Sequence, residues 1–337
     1  MGNTTFNHFV GIDISKQYLD CWLRPSGQHL RCTNNEQGFN QLHEWLLQQG
    51  CNGENTIICM ENTGIYGARL LVALTGQGWK CGVEKTTVLD KVSPEHHRKD
   101  DVFDAKMLAE YAERFTDRLH VQKPSGQAIS RLRQLYGERR RLVRQQTATL
   151  TKQTQSEQQP HCCDLLQEGW AEQLALLKKQ INLLEDRMDD IIISHKGLST
   201  YFNLLTDIPG VGEVTATLWL ILFYGQEKLN PKKIASRFGF APHSHRSGSS
   251  VRGKTRSSGH GHSEMRGNMA LAVRSASTHN PRFKNYKQKK LEEGKCWGIV
   301  RNNMINKLIT IICAIWNSRQ PYDPNHISRF NQQKNAA

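Results

Sequence analysis

No run of 18 apolar residues occurs in the 337-residue chain, so a membrane-spanning helix is not expected. The first residues, MGNTTFNHFVGID, lack a basic segment followed by an apolar run, so no secretory signal is expected either. Gly2 is present as in a myristoylation site, but Phe6 stands where that pattern wants Ser or Thr. No C-x-x-C pair occurs among the nine cysteines. Their odd count and irregular spacing argue against a disulfide framework or a zinc site, and reduced thiols in a cytoplasmic setting are the expectation. The one cluster, His161-Cys162-Cys163, reads as helix surface or loop. Acids are scarce in the last third. Residues 231–337 hold 20 Lys+Arg against 4 Asp+Glu, while residues 1–230 hold 25 against 27. All of the excess positive charge, a net +14 for the chain, therefore sits C-terminally. Such asymmetry points to a polyanionic partner, most simply nucleic acid.

What is present divides along the chain. HFVGIDISKQYLDCWLRPSGQHLRCTNN reads as three short strands, with Pro25-Ser26-Gly27 turning between the second and third. In EQGFNQLHEWLLQQG the apolar residues fall at Phe39, Leu42, Trp45 and Leu46, a helical spacing closed by Gly50. NTIICMEN is a buried strand ending in Glu61, IYGARLLVALTGQG a helix, WKCGVEK a strand and KDDVFDAKMLAEYAERF a helix. That order predicts an α/β domain with a mixed sheet. From about Ala128 to Ser194, Leu and Val recur at heptad-like steps, which predicts a long antiparallel helical pair broken near Pro160. IPGVGEVTA, with Gly210 and Gly212, resembles a helix-hairpin-helix, whose glycines let backbone N–H groups meet a DNA phosphate. A plain turn between two helices fits the same residues.

Four carboxylates stand out. Asp13 and Glu61 each end a strand, and Asp101 and Asp104 lie three apart on one helix face. Singly, each has a structural reading, such as complementing a helix dipole. Jointly, G-I-D, M-E-N-T-G and D-x-x-D-A predict an all-oxygen site for one or two Mg²⁺ ions. Asp100 is a weaker candidate ligand.

The stretch SGSSVRGKTRSSGHGHSEMRG, Ser247 to Gly267, has almost nothing apolar to bury. A serine there needs a base or a polarised target to act as a nucleophile, and His260 and His262 are the local candidates for a base. Arg252 and Arg256 are placed to hold phosphate oxygens, and Gly248 and Gly253 allow close approach of backbone to DNA. Chemistry alone leaves Ser247, Ser249 and Ser250 in competition.

Taken in order, GIDISK, ENTGIY, DDVFDAKMLAEY, IPGVGEVTA, FGFAPHSHRSGSSVRG and GHSEMR resemble the insertion-sequence transposases with a RuvC-like D-E-D-D domain and a C-terminal serine domain. That group includes the Piv-type invertases and the bridge-RNA-guided recombinases. The resemblance implies a RuvC-like, RNase H-like α/β domain at 1–125 and a coiled coil at 126–196. A mainly helical serine domain at 197–325 with a helix-hairpin-helix-like motif would follow, then a frayed tail at 326–337. It implies Ser247 as the nucleophile that forms a phosphoserine link to DNA. Mg²⁺, or Mn²⁺ in its place, would sit at Asp13, Glu61, Asp101 and Asp104. Its partners would be double-stranded DNA of the element ends and target, a structured guide RNA, and further copies of the chain, dimer to tetramer. A bacterial, nucleoid-associated protein is implied. Arg131, Arg133, Arg139, Arg140, Arg141 and Arg144 would suit an RNA backbone, although a solvated helix face fits them equally. The basic segment RFKNYKQKKLEEGK is not among the stretches that carry the resemblance. Two other readings of the same residues remain: a Holliday-junction-type nuclease using water, and a non-catalytic nucleic-acid binder on a decayed nuclease fold.

Overall fold

The computed structural model describes residues 6–62, 64–84, 100–122, 126–243, 246–247, 251–252, 256–257 and 261–325. At His243, Arg246, Ser247, Val251, Arg252 and Arg256 the description is of backbone. Ser249, Ser250, Gly248, Gly253, His260 and the tail 326–337 lie outside the described residues. The chain divides into two compact units, 1–125 and 126–337.

The first unit is built on five strands: β1 (His8–Ile14), β2 (Tyr18–Arg24), β3 (Gln28–Thr33), β4 (Thr56–Glu61) and β5 (Lys80–Glu84). Their order is β3-β2-β1-β4-β5. β1–β2 and β2–β3 pair antiparallel through short turns, while β1–β4 and β4–β5 pair parallel across helical crossovers. The mixed sheet of the α/β expectation is thus present. On one face Val10, Ile12, Ile14, Ile58 and Met60 pack against Leu42 and Leu46 of α1 (Glu36–Gln48) and Leu70 and Leu74 of α2 (Ile65–Gly76). On the other, Ile57 and Cys59 pack against Leu108, Tyr111 and Ala112 of α3 (Asp101–Arg114).

The approach of α3 to β1 depends on Gly11. A Cβ there would overlap the Ala105 carbonyl oxygen and the Ala109 amide nitrogen, and would lie 2.8 Å from the Leu108 Cβ. These are helix backbone atoms that cannot turn aside. We expect Gly11→Ala to destabilise this unit by about 3 kcal/mol, the upper end for overpacking. Thermal unfolding followed by circular dichroism should show the midpoint falling by roughly 10 °C; a fall of under 2 °C would contradict the packing argument.

Among its described residues, the second unit is helical apart from four two-residue strands. α4 (Gln127–Glu157) and α5 (Asp164–Ser194) are each 31 residues long. Arg139 reaches Glu185, Thr149 reaches Gln173 and Gln153 faces Gln167, so the pair runs antiparallel with Pro160 in the break. Leu142, Leu177 and Ile181 form a small cluster midway, while Ile129, Leu132, Tyr136, Met188 and Ile192 join the main core. That core surrounds α7 (Glu213–Phe223), which is buried on nearly every side. α6 (Lys196–Thr206), α8 (Pro231–Arg237), α9 (Ser263–His279), α10 (Pro281–Glu292) and α11 (Trp297–Ser318) pack about it. Among the described residues, no helix is long and apolar enough to cross a membrane.

Candidate active site

Chemistry-bearing residues gather at one place in each unit. In the first, β1 and β4 run in parallel register with Ile12 beside Met60. The next step sets Asp13 beside Glu61 at the C-terminal ends of both strands. Alternation along a strand puts Gly11 and Asp13, and Cys59 and Glu61, on the face covered by α3. That helix brings Asp101 and Asp104 in its first turn. Asp100 does a different job: it is the N-cap, its carboxylate accepting from the Val102 amide at 3.2 Å.

The neighbouring carboxylates also bear on Asp13 electrostatically. Asp13 is half-buried, and its pKa is raised from the ordinary 3.8 to about 6. Burial is the largest cause, followed by the carboxylates of Asp104 and Asp101; the Ile14 amide, donating to Asp13, opposes them, and Glu61 adds to the rise. Three of the acids singled out in the sequence, Asp104, Asp101 and Glu61, therefore act on the fourth, Asp13. Among the described residues, no three His, Cys, Asp or Glu side chains stand at metal-ligating spacing. The four carboxylates are gathered more loosely than a closed cage. In kind, an all-oxygen donor set in which one carboxyl resists ionisation suits a hard cation, because added positive charge relieves that resistance.

The raised Asp13 also sets a pH dependence. Its folded-state pKa lies above its unfolded one, so the folded form holds the proton more tightly. Stability then falls as pH rises from about 4 to about 6, and the full penalty stands above that. We expect Asp13→Asn, without divalent cation, to be more stable than the parent at pH 7.5 by ~1–2 kcal/mol after allowance for solvent screening. The difference should vanish near pH 4. Urea titrations at the two pH values would check it, and equal midpoints at pH 7.5 would refute it.

Sequence reasoning missed three neighbours. Asp20 pairs directly opposite Asp13 across β1–β2 and is only 3% exposed. It meets His29 Nε2 at 2.9 Å and Arg31 Nε at 3.8 Å, and Arg31 in turn lies 3.8 Å from an Asp101 oxygen. Glu84 pairs with Glu61 across β4–β5. Strand register is the signal that finds all three.

In the second unit the serine-rich stretch is a hairpin of two short ladders. β6 (Pro242–His243) pairs with β9 (Arg256–Ser257), and β7 (Arg246–Ser247) pairs with β8 (Val251–Arg252). Ser247 sits opposite Val251 in the last pair before the tip. Both feet are fixed to the core. Asn302 and Asn306 of α11 donate to the Phe240 carbonyl at 3.0 and 3.3 Å. On the return, Gly261 at φ +141° presses on the Phe238 backbone, where a Cβ would come within 2.7 Å. His262 then caps α9, its Nδ1 accepting from the Met265 amide at 3.4 Å, so that nitrogen is already engaged.

The other expected contact residues sort by geometry. Gly210, at φ +94°, is turned against the Ala272 carbonyl and Ala276 of α9, while Gly212 borders open space. Three of the six arginines are paired: Arg139 with Glu185 at 2.6 Å, Arg140 with Glu264 at 2.9 Å, and Arg141 with Glu138. Arg133 donates to the Ile221 carbonyl at 3.4 Å. Arg131 and Arg144 are exposed, with no carboxylate in ion-pair range among the described residues. Arg140, Glu264 and Tyr136, whose hydroxyl also accepts from Asn268 at 3.0 Å, tie the start of α9 to α4.

Two family matches fall in order along the chain, the first running past the unit boundary into α4. Residues 10–156 match an IS110-type DEDD family described as Transposase, and residues 202–288 match the Transposase IS116/IS110/IS902 family. Two relatives, the pilin gene-inverting proteins of Moraxella lacunata and Moraxella bovis, are each 25% identical over 323 residues. The alignments cover 94% of this chain and 97% of each relative.

Proposed function

The chain belongs to the IS116/IS110/IS902 transposase family, and on that premise we propose that it cuts and rejoins DNA through a phosphoserine link at Ser247. The observation that carries the reading is the convergence of Asp13, Glu61, Asp101 and Asp104 on one end of a β3-β2-β1-β4-β5 sheet. That strand order, three antiparallel strands then two parallel, supports an RNase H-like (RuvC-like) first unit. The paired α4 and α5 support a coiled-coil segment between it and the serine domain.

In this scheme the Ser247 oxygen attacks a DNA phosphorus, and the proton it gives up ends on the departing deoxyribose oxygen. The bond from phosphorus to one deoxyribose oxygen breaks, and that oxygen leaves as a hydroxyl. A deoxyribose hydroxyl of the incoming strand later attacks the phosphoserine, restoring the diester and the free serine. Bond number is conserved throughout, so no external energy source is needed. Asp13, Glu61, Asp101 and Asp104 would hold one or two Mg²⁺ ions, or Mn²⁺ in their place. When bound, the metal polarises the phosphate and steadies the charge that builds on its oxygens. The described backbone on either side of the hairpin is anchored at Phe240 and Gly261, and Arg252 and Arg256 would supply guanidiniums for the phosphate oxygens.

A structured guide RNA would choose the DNA by base pairing, leaving the protein to read backbone and shape. Arg131 and Arg144, which no carboxylate of the described chain neutralises, suit that backbone best. Two duplexes must be cut and exchanged, so the working form is a dimer or tetramer. The relatives' name describes gene inversion, and inversion or transposition of a segment follows from the same cut-and-rejoin chemistry.

The test is a denaturing gel. The chain with its co-purified RNA, labelled element-end DNA and Mg²⁺ is quenched in detergent. A labelled band at the protein's mass is expected; cut DNA with no protein attached would sink the proposal.

A further inference from the structure

We propose that a pocket between α9, α10 and α11 binds an unpaired nucleotide of a DNA or RNA strand, its base against Trp297 and its phosphate between Arg274 and Arg301. The inference deepens the nucleic-acid reading above and rests on it, but the residues are separate from the carboxylates and the serine hairpin.

The pocket has a volume of about 360 Å³, within the range of small-ligand sites. Arg274, Lys287 and Arg301 line it, together with Ser277, Thr278 and Trp297. Among the described residues, none of the three cations has a carboxylate within ion-pair distance, although ion pairs form close by between Lys290, Lys295 and Glu293. Three positive groups left unneutralised around one concavity favour an anion, and arginine forks match phosphate oxygens.

Trp297 sets the class of ligand. It stands at the first turn of α11 and is 38% exposed, so part of its surface remains open to a ligand. The Lys287 ammonium lies 5.1 Å from the ring centroid. Leu271, which also lines the pocket, is 65% exposed. An aromatic ring and aliphatic surface ringed by cations form a stacking platform of the kind that single strands use. A duplex keeps its bases stacked inside and would meet the cations alone, leaving the apolar surface uncovered.

Six of the eight lining residues, Lys287 among them, fall within the second family match at 202–288. Trp297 and Arg301 lie beyond residue 288, where the second family match ends. The stacking ring and one of the three cations therefore lie outside the matched segment, and Arg274 and Lys287 lie within it.

The experiment measures binding of the full chain by fluorescence anisotropy. The probes are a 12-nucleotide oligothymidylate, a 12-nucleotide oligouridylate and a 12-base-pair duplex. Trp297→Ala should weaken binding of single strands about 5- to 100-fold, the span expected for losing one stacked base. Trp297→Phe should recover most of that loss, and duplex binding should change less than twofold. Arg274→Gln with Arg301→Gln should flatten the salt dependence on single strands by about 1.4 in log–log slope. A larger effect on one single-strand probe identifies DNA or RNA as the source. Tight parental binding that Trp297→Ala leaves within twofold overturns the pocket and spares the wider reading. A parent that binds no probe overturns both. A thermal melt of each variant checks that the exposed substitutions leave the fold intact.

Discussion

Ser247→Ala is expected to lower strand exchange by about 10⁴ or more, the scale of removing a covalent nucleophile that nothing replaces. DNA binding should stay within twofold, because the hydroxyl carries no charge and phosphate contacts dominate affinity. The protein-linked band should vanish with the activity. Ser249→Ala and Ser250→Ala should each retain more than a tenth of parental exchange. Folding is not at stake, since the Ser247–Val251 pair is a backbone ladder and the hairpin feet are held elsewhere, at Phe240 and Gly261. If the variant instead cuts DNA at the parental rate, water is the nucleophile. The carboxylates would then be a nuclease centre, and the hairpin a phosphate-binding loop.

The first unit was legible because its strands are long enough to show a pattern. His8–Ile14 reads as an apolar run ending in an acid, and β1 has those same bounds. The four carboxylates were visible as types at strand ends and on one helix face. Their companions were not. Asp20 and Glu84 reach the site through the registers Asp13↔Asp20 and Glu61↔Glu84. A one-residue slip would send either to the opposite face; the Ser15–Tyr18 turn sets the first pairing, while the second spans a helical crossover that no local turn specifies. The role of Gly11 was hidden for a related reason. Its need for space comes from α3, about 90 residues further along the chain, and not from its own turn.

The second unit was less legible. The hairpin uses strands of two residues each, too short for any period to register, so its sequence reads as a Gly/Ser-rich loop. The arginines of α4 looked alike along the helix. Glu185 and Glu264, remote in sequence, separate Arg139 and Arg140 from Arg131 and Arg144. Charge count alone therefore overstates the guanidinium available to a nucleic acid, and ion-pair geometry corrects it. The two glycines of IPGVGEVTA divide in the same way. Gly210 answers to α9 packing, while Gly212 borders open space where a phosphate has room.

Asp104→Asn should move activity and stability in opposite directions. Among the neighbouring carboxylates, Asp104 contributes most to the rise in the Asp13 pKa, so removing its charge relieves a repulsion built into the folded state. Without divalent cation, the variant should melt at or above the parental temperature at pH 7.5. Cleavage should nonetheless fall on the order of 10³, the cost of losing several kcal/mol of charge stabilisation at the phosphate. Mg²⁺ provides a third readout. Saturating ion should raise the parental midpoint by an amount equivalent to about 2.7 kcal/mol at 100 times Kd, and the variant should lose most of that rise. A folding defect would lower stability and activity together, and a residue outside the metal site would leave the Mg²⁺ response intact. The combination of higher stability, lost cleavage and a blunted ion response belongs to carboxylates held in mutual repulsion for a cation. Such strain is commonly retained where function needs it. A variant that melts lower than the parent and still responds fully to Mg²⁺ would show that Asp104 holds α3 in place and binds no ion.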